Sequence, residues 1–215
     1  GRNPNGFSSV VVGGSAAPRS MIEKFESTGV SVCHAWGMTE MSPVGTHGIL
    51  PADMAKSKTL SERLDLQQYQ GRRVFGVDLK IVDENGAELP HDGKAVGELY
   101  VRGNAIISGY FQNDDANSDA FDADGWFGTG DIAAMRPDGF LSIQDRAKDL
   151  IKSGGEWISS IDLENIVMSH PQVANCAVIA VPHPKWDERP LLVIVPAGDA
   201  RVDKDEIDEL LLQHV

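Results

Sequence analysis

The 215-residue sequence has only two cysteines, and its 19 lysines and arginines are outnumbered by 32 aspartates and glutamates. Cys33 and Cys176 each lie in an aliphatic run. That setting suits reduced thiols of a cytoplasmic protein and excludes a disulfide framework; a single bridge between them is the lesser alternative. The net charge of −13 excludes the basic footprint that nucleic acids and anionic membranes require. It does not exclude a nucleotide, because one phosphate site needs only local donors. No window of about 18 apolar residues occurs, so no transmembrane helix is expected. Residues 1–18 lack the charged-then-apolar order of a secretory signal. Internal repeats and low-complexity tracts are missing. So are paired Cys/His zinc spacings, the G-x-S-x-G nucleophile turn and the G-x-x-x-x-G-K-[ST] phosphate loop.

What is there suits a packed protein of one large domain or two smaller ones, with 41% hydrophobic and 24% charged residues. Ser9 to Val12 reads as a strand ending at Gly13-Gly14. Pro18 to Ser27 reads as a helix with Met21, Ile22 and Phe25 inward, and Val30 to Ala35 as a second strand. Strand, glycine turn, helix and strand make a βαβ unit of a parallel sheet. Residues 51–70 read as polar, partly helical and peripheral. From 71 to 145 short strands and turns predict a small antiparallel barrel or sheet. Its marks are "VDLKIVD", "GELYVRG" and a hairpin around Pro137-Asp138-Gly139.

Beyond residue 150 a helix is expected after Ser160, with Leu163, Ile166 and Val167 inward and Pro171 as its stop. "NCAVIAVP" and "PLLVIVP" read as strands framing "HPKWDER", and "DKDEIDELLLQHV" as a final amphipathic helix. Both termini read as cut, so a piece of a longer protein is expected.

Four segments carry candidate chemistry, and each has a plain structural reading beside it. "GGSAAP" would let a ring or phosphate approach bare backbone, or is an ordinary tight turn. In "HAWGMTE", Gly37 permits an unusual backbone angle, Trp36 offers an aromatic face and Glu40 offers an oxygen for Mg²⁺; a strand-exit loop explains it equally. In "GWFGTGDI", Asp131 at a strand start could hold two ribose hydroxyls or could be a turn aspartate. "DRAKDLIKSGGEWIS" joins a charged run to a glycine pair, and Arg146 in it could grip ribose or phosphate or form a surface ion pair.

In order and spacing these segments resemble the adenylate-forming superfamily of acyl-CoA synthetases, peptide-synthetase adenylation domains and luciferases. "HAWGMTE" is similar to its aromatic-Gly-x-Thr-Glu motif and "GELYVRGNAIISGY" to its GEL-x-x-RG-x-x-x-x-GY segment. "GWFGTGDI" is similar to its TGD motif, and the charged run with its glycine pair to its hinge and following loop. "DLIKSGGEWISSIDLEN" and "PHPKWDERP" most resemble medium- and long-chain fatty-acyl-CoA ligases, with ligases of short methylthio-acids close by.

The resemblance implies a mixed α/β and α+β fold. Residues 1–145 would be the later part of the large domain, a βα portion plus a small antiparallel subdomain. Residues 146–149 would be a hinge and 150–215 a truncated small α+β domain. It implies that Gly14, Ser15 and Ala16 line the adenine side and that Trp36, where most relatives carry Tyr, stacks on adenine beside Gly37. Thr39 would hold the α-phosphate, Glu40 would bind Mg²⁺, and Asp131 and Arg146 would hold the ribose. Lys148 would be the hinge residue, and Lys152, Ser153, Gly154 and Gly155 would lie near the coenzyme A channel.

The implied reaction joins a carboxylic acid, in the leading reading a fatty acid, to coenzyme A through an acyl-adenylate made from ATP. Short methylthio- or aryl-acids are the alternative substrates, and a catalytically dead nucleotide-binding or interaction module is the alternative of another class. A homodimer is compatible with the family. The family's upstream Gly- and Ser/Thr-rich phosphate loop and its C-terminal adenylation lysine have no counterpart here, so these 215 residues are expected not to complete adenylation alone.

Overall fold

The structure, a computed structural model, describes residues 6–213 apart from the side chain of Glu156. It divides into two compact units, Gly1–Ile143 and Gln144–Val215.

In the first unit, β1 (Ser9–Val12), α1 (Arg19–Glu26) and β2 (Ser31–Trp36) form the expected βαβ element. The strands pair in parallel, with Ser9 opposite Ser31 and Val12 opposite His34. The helical spacing of Met21, Ile22 and Phe25 puts Ile22 fully inside, against Ala17, Val32 and Leu64. Burial of such a side chain contributes about 2 kcal/mol. β3 (Thr46–His47) and β4 (Arg72–Arg73) extend the sheet antiparallel in the order β1-β2-β3-β4, so it is mixed rather than parallel.

The peripheral reading of residues 51–70 holds for α2 (Ala52–Ser57), which buries nothing, and fails for α3 (Leu60–Gln67). There Leu64 and Leu66 are buried, and the Gln67 amide donates to the Val32 carbonyl at 3.1 Å. A capping box starts the helix: the Glu62 N–H donates to Thr59 Oγ1 at 3.3 Å and the Thr59 N–H to Glu62 Oε2 at 2.8 Å. With two inward leucines among polar neighbours, the apolar face was too narrow to stand out.

β5 (Val77–Val82), β6 (Val96–Gly103), α4 (Asp114–Ala120), β7 (Phe127–Met135) and β8 (Leu141–Arg146) follow. The strands make one four-stranded sheet, β5-β6-β7-β8, and the boundary between the two units falls inside β8. Alternating Val77, Leu79 and Ile81 face a core with Leu99, Val101, Phe127 and Leu141. Met41 belongs to this core too, although it lies just beyond β2.

The second unit contains β9 (Ile151–Ser153), β10 (Glu156–Ile158), α5 (Ser160–Val167), β11 (Val173–His183), β12 (Asp187–Pro196) and α6 (Lys204–Leu212). Its sheet order is β10-β9-β12-β11, with Val167, Val173 and Ile207 at the centre of the core. β11 and β12 run further than the apolar segments predict. Pairing continues to His183 opposite Asp187, which leaves Pro184, Lys185 and Trp186 as the loop. Backbone pairing needs no apolar side chain, so hydropathy alone cut both strands short.

Candidate functional site

The loops leaving β1 and β2 emerge side by side, because those strands are parallel neighbours. This is where open α/β sheets take ligands, beyond the carboxyl ends of their strands. Gly14 has φ +80°, and a Cβ there would meet nothing within 4 Å, so conformation rather than crowding calls for glycine. Gly14 and Ser15 are exposed and Ala16 is half-buried. The buried His34 ties this loop down. Its Nε2 lies 3.2 Å from the Ser15 carbonyl and its Nδ1 2.8 Å from the Gln68 carbonyl. Burial lowers the His34 pKa from its ordinary 6.5, against the pull of both carbonyls.

The loop after β2 is anchored by its large apolar residues. Trp36, Met38 and Met41 pack on the antiparallel core, while Gly37 and Thr39 are exposed and Glu40 is half-buried. The reason for glycine at position 37 differs from the sequence reading. Gly37 is not in the left-handed region; a Cβ there would lie 1.9 Å from the Pro43 carbonyl oxygen. Close approach of two chain segments, not an unusual angle, excludes a side chain. Gly45 likewise makes room for Trp36, since its Cβ would fall 2.7 Å from Cζ3 of the indole.

Asp131 lies in the interior of β7 rather than at a strand start. It sits in a bulge. Gly128 pairs with Tyr100 and Ile132 with Glu98, so Thr129, Gly130 and Asp131 face Leu99 alone. Gly130 takes φ +71°. The Thr129 hydroxyl donates to the Leu99 carbonyl at 2.9 Å and accepts from the Asp131 N–H at 3.1 Å. The T-G-D order is therefore a backbone device that aims Asp131. Its buried carboxylate accepts a hydrogen bond from the Trp36 indole N–H at 2.9 Å, across 95 residues of sequence. Glu40 Oε1 accepts from the Tyr110 hydroxyl at 3.0 Å. Tyr110 closes the segment "GELYVRGNAIISGY", and the sequence alone assigns it no role.

Arg146, Lys148, Lys152 and the glycine pair belong to the second unit. Arg146 ends β8 and Lys148 is exposed in the turn that follows. The Lys152 ammonium lies 4.6 Å from the Trp157 ring centroid. Gly154 and Gly155, at φ +62° and +89°, form the two-residue turn of the β9–β10 hairpin, in which buried Ser153 pairs with Glu156. That turn explains both glycines without a ligand. Asp145, which sequence reasoning passed over, is buried and accepts from the Ser160 N–H and hydroxyl, each at 2.7 Å, and from the Arg146 N–H at 2.8 Å.

Residues 2–111 match the AMP-binding enzyme family, and residues 162–215 match the AMP-binding enzyme C-terminal domain. The chain belongs to the AMP-binding enzyme family. It is 55% identical over 188 residues to 3-methylmercaptopropionyl-CoA ligase of Ruegeria lacuscaerulensis, covering 87% of this chain and 34% of that protein. It is 48% identical to the long-chain-fatty-acid–CoA ligase of Thermus thermophilus, covering 95% of this chain and 37% of the relative. Among solved structures it resembles Bacillus subtilis o-succinylbenzoate CoA synthetase in complex with its acyl-adenylate intermediate. That match has TM-score 0.83 and 28% identity, covering 100% of this chain and 41% of that one. The chain thus spans about a third of the length of the curated relatives it matches. No helix among the described residues is long and apolar enough to cross a membrane.

An AMP-binding enzyme that uses Mg²⁺ needs few protein ligands. The ion takes one or two carboxylates and completes its shell with water and substrate phosphate. Among the described residues no three His, Cys, Asp or Glu side chains gather into a metal cage, and Glu40 as a single carboxylate fits that requirement.

Proposed function

We propose that the protein of which this chain is part is an acid–thiol ligase that activates a carboxylate with ATP and passes it to coenzyme A. The observation that carries the reading is the meeting of Trp36 and Asp131 at 2.9 Å beside the loop that holds Thr39 and Glu40. It brings an aromatic ring and a carboxylate from distant segments to the ligand-binding end of a parallel strand pair.

In the first half-reaction a carboxylate oxygen of the acid bonds to the α-phosphorus of ATP and the bond to pyrophosphate breaks. In the second, the coenzyme A sulfur bonds to the acyl carbon and AMP leaves. Ser15 and its neighbours Gly14 and Ala16 line the adenine, Trp36 stacks on it, and the Thr39 hydroxyl donates to an α-phosphate oxygen. Asp131 accepts from the ribose hydroxyls and Arg146 supplies further donors. Because Asp131 is buried and bonded to Trp36, the ribose has to share that carboxylate or turn the indole aside. Glu40 would hold Mg²⁺, whose charge would offset that on the phosphate oxygens. Lys148 serves as the hinge at 146–149 between residues 1–145 and 150–215, and Lys152 to Gly155 approach coenzyme A. A cytoplasmic location and a homodimer complete the reading.

Two acid classes fit. Fatty acids follow from the motifs in the second unit, and a short methylthio-acid follows from the 55% identity to the Ruegeria ligase. Turnover of the full-length protein on carboxylates of graded length separates them.

The site itself is tested by calorimetric titration of this chain with a non-hydrolysable acyl-adenylate analogue. Asp131→Ala is expected to weaken binding by at least tenfold, the loss of a hydrogen bond to a charged group being worth about 1.5–3 kcal/mol. Equal affinity in the variant would remove Asp131 from the site.

A further inference from the structure

Glu40 stands on the short 3-10 turn Thr39–Met41, a poor platform for a side chain that has to meet a ligand in one pose. Two bonds tie it to a single segment of the β6–α4 connection. The Ile107 N–H donates to the Glu40 main-chain carbonyl at 2.8 Å, and the Tyr110 hydroxyl donates to its Oε1 at 3.0 Å. Tyr110 is itself held at three points. Its N–H donates to Asn117 Oδ1 at 2.6 Å, and the Asn117 amide donates back to its carbonyl at 3.1 Å. Its ring meets buried Phe127 edge-on, with centroids 6.4 Å apart. Gly109 leaves Asn117 its seat, since a Cβ there would lie 3.2 Å from Oδ1. Asn117 is fixed in turn by α4, whose N-cap Asn113 accepts from the Ala116 N–H at 3.2 Å.

We propose that Tyr110 is the positioning residue for Glu40, its phenol fixing the carboxylate so that one oxygen is occupied and the other is directed to the ligand side. The inference rests on the reading of Glu40 as the Mg²⁺ and phosphate contact. A carboxylate has about four lone-pair sites, so one bond from Tyr110 leaves acceptor capacity for a cation. Partners of this kind orient ligating groups, and their removal costs about 10–100-fold in metal affinity or activity.

The test is calorimetric titration of the full-length protein with ATP, in Mg²⁺ and in EDTA, for wild type, Tyr110→Phe, Glu40→Gln and the double variant. Tyr110→Phe keeps the ring on Phe127 and removes only the hydroxyl; melting curves check that each variant is folded. About tenfold weaker binding is expected in Mg²⁺, unchanged binding in EDTA, and no further loss when Tyr110→Phe is added to Glu40→Gln. Equal affinity in Mg²⁺ would overturn the proposal, as would the same loss in EDTA or in the Glu40→Gln background. If wild type shows no Mg²⁺-dependent binding, the nucleotide reading and this inference fall together.

Discussion

Gly37 follows β2 in the first unit, and Gly155 turns the β9–β10 hairpin in the second. Both stand in segments that carry proposed site residues, for different physical reasons. Gly37 has no room: a Cβ would sit 1.9 Å from the Pro43 carbonyl oxygen. Gly155 has open space and φ +89°, so only its backbone conformation demands glycine. The surroundings differ in the same way. Trp36 and Glu40 are tied by side-chain bonds to residues 95 and 70 positions away. Lys148, Lys152 and Trp157 are exposed on or beside short turns. The first region thus holds its side chains through contacts distant in sequence, and a ribose at Asp131 would compete with one of them. The second displays charge beside short turns, which suits the hinge proposed at Lys148.

Alanine at the two glycines sharpens this contrast. Gly37→Ala is expected to be the most damaging, destabilising the first unit by about 3 kcal/mol, since carbonyl and methyl cannot share that space and the backbone has to move. Gly155→Ala is expected to cost about 1–2 kcal/mol, the ordinary penalty of a left-handed alanine. Denaturant melts of both variants would measure the difference, and equal losses would break the distinction between a steric and a conformational glycine. Asp145→Ala falls between them at about 2–3 kcal/mol in the second unit. It strands the Ser160 N–H and hydroxyl, which now share one buried carboxylate oxygen, and buried donors left without partners cost about that much. A loss under 0.5 kcal/mol would show that water replaces the carboxylate there.

These residues also mark how far a sequence can be read. The βαβ element was legible because Met21, Ile22 and Phe25 keep a helical period between two apolar runs. The loop after β2 was legible as a unit, since an aromatic residue, a glycine, a hydroxyl and a carboxylate share one short segment. Its partners were not. That Trp36 meets Asp131 and Tyr110 meets Glu40 depends on how β2, the β6–α4 connection and the β7 bulge pack, and no local pattern encodes a contact across 70 or 95 residues. Asp145 was hidden for the same reason: five charged residues in eight read as a solvated run, and nothing local shows that one of them points inward. The β9–β10 hairpin was hidden differently. Strands of three residues give too few alternations for a period to emerge, and the glycine pair that marks the turn reads equally well as a ligand loop.

A change of pH offers a way to loosen the first region through one identified group. His34 is buried between the carbonyls of Ser15 and Gln68, and the neutral ring carries one N–H for the two of them. Protonation would supply the second donor, yet burial outweighs this and holds the pKa below 6.5. As pH falls past that value, the unfolded chain takes up the proton first, so the folded state loses stability until its own depressed pKa is reached. The slope this one group can contribute is at most about 1.4 kcal/mol per pH unit. Wild-type stability of the first unit is therefore expected to decline as pH drops below 6.5, and His34→Gln, though weaker at neutral pH, to show a flatter profile there. The comparison is made by denaturant melts at half-unit steps of pH. Parallel profiles would mean that His34 binds its proton equally well folded and unfolded, with the two carbonyls compensating the burial.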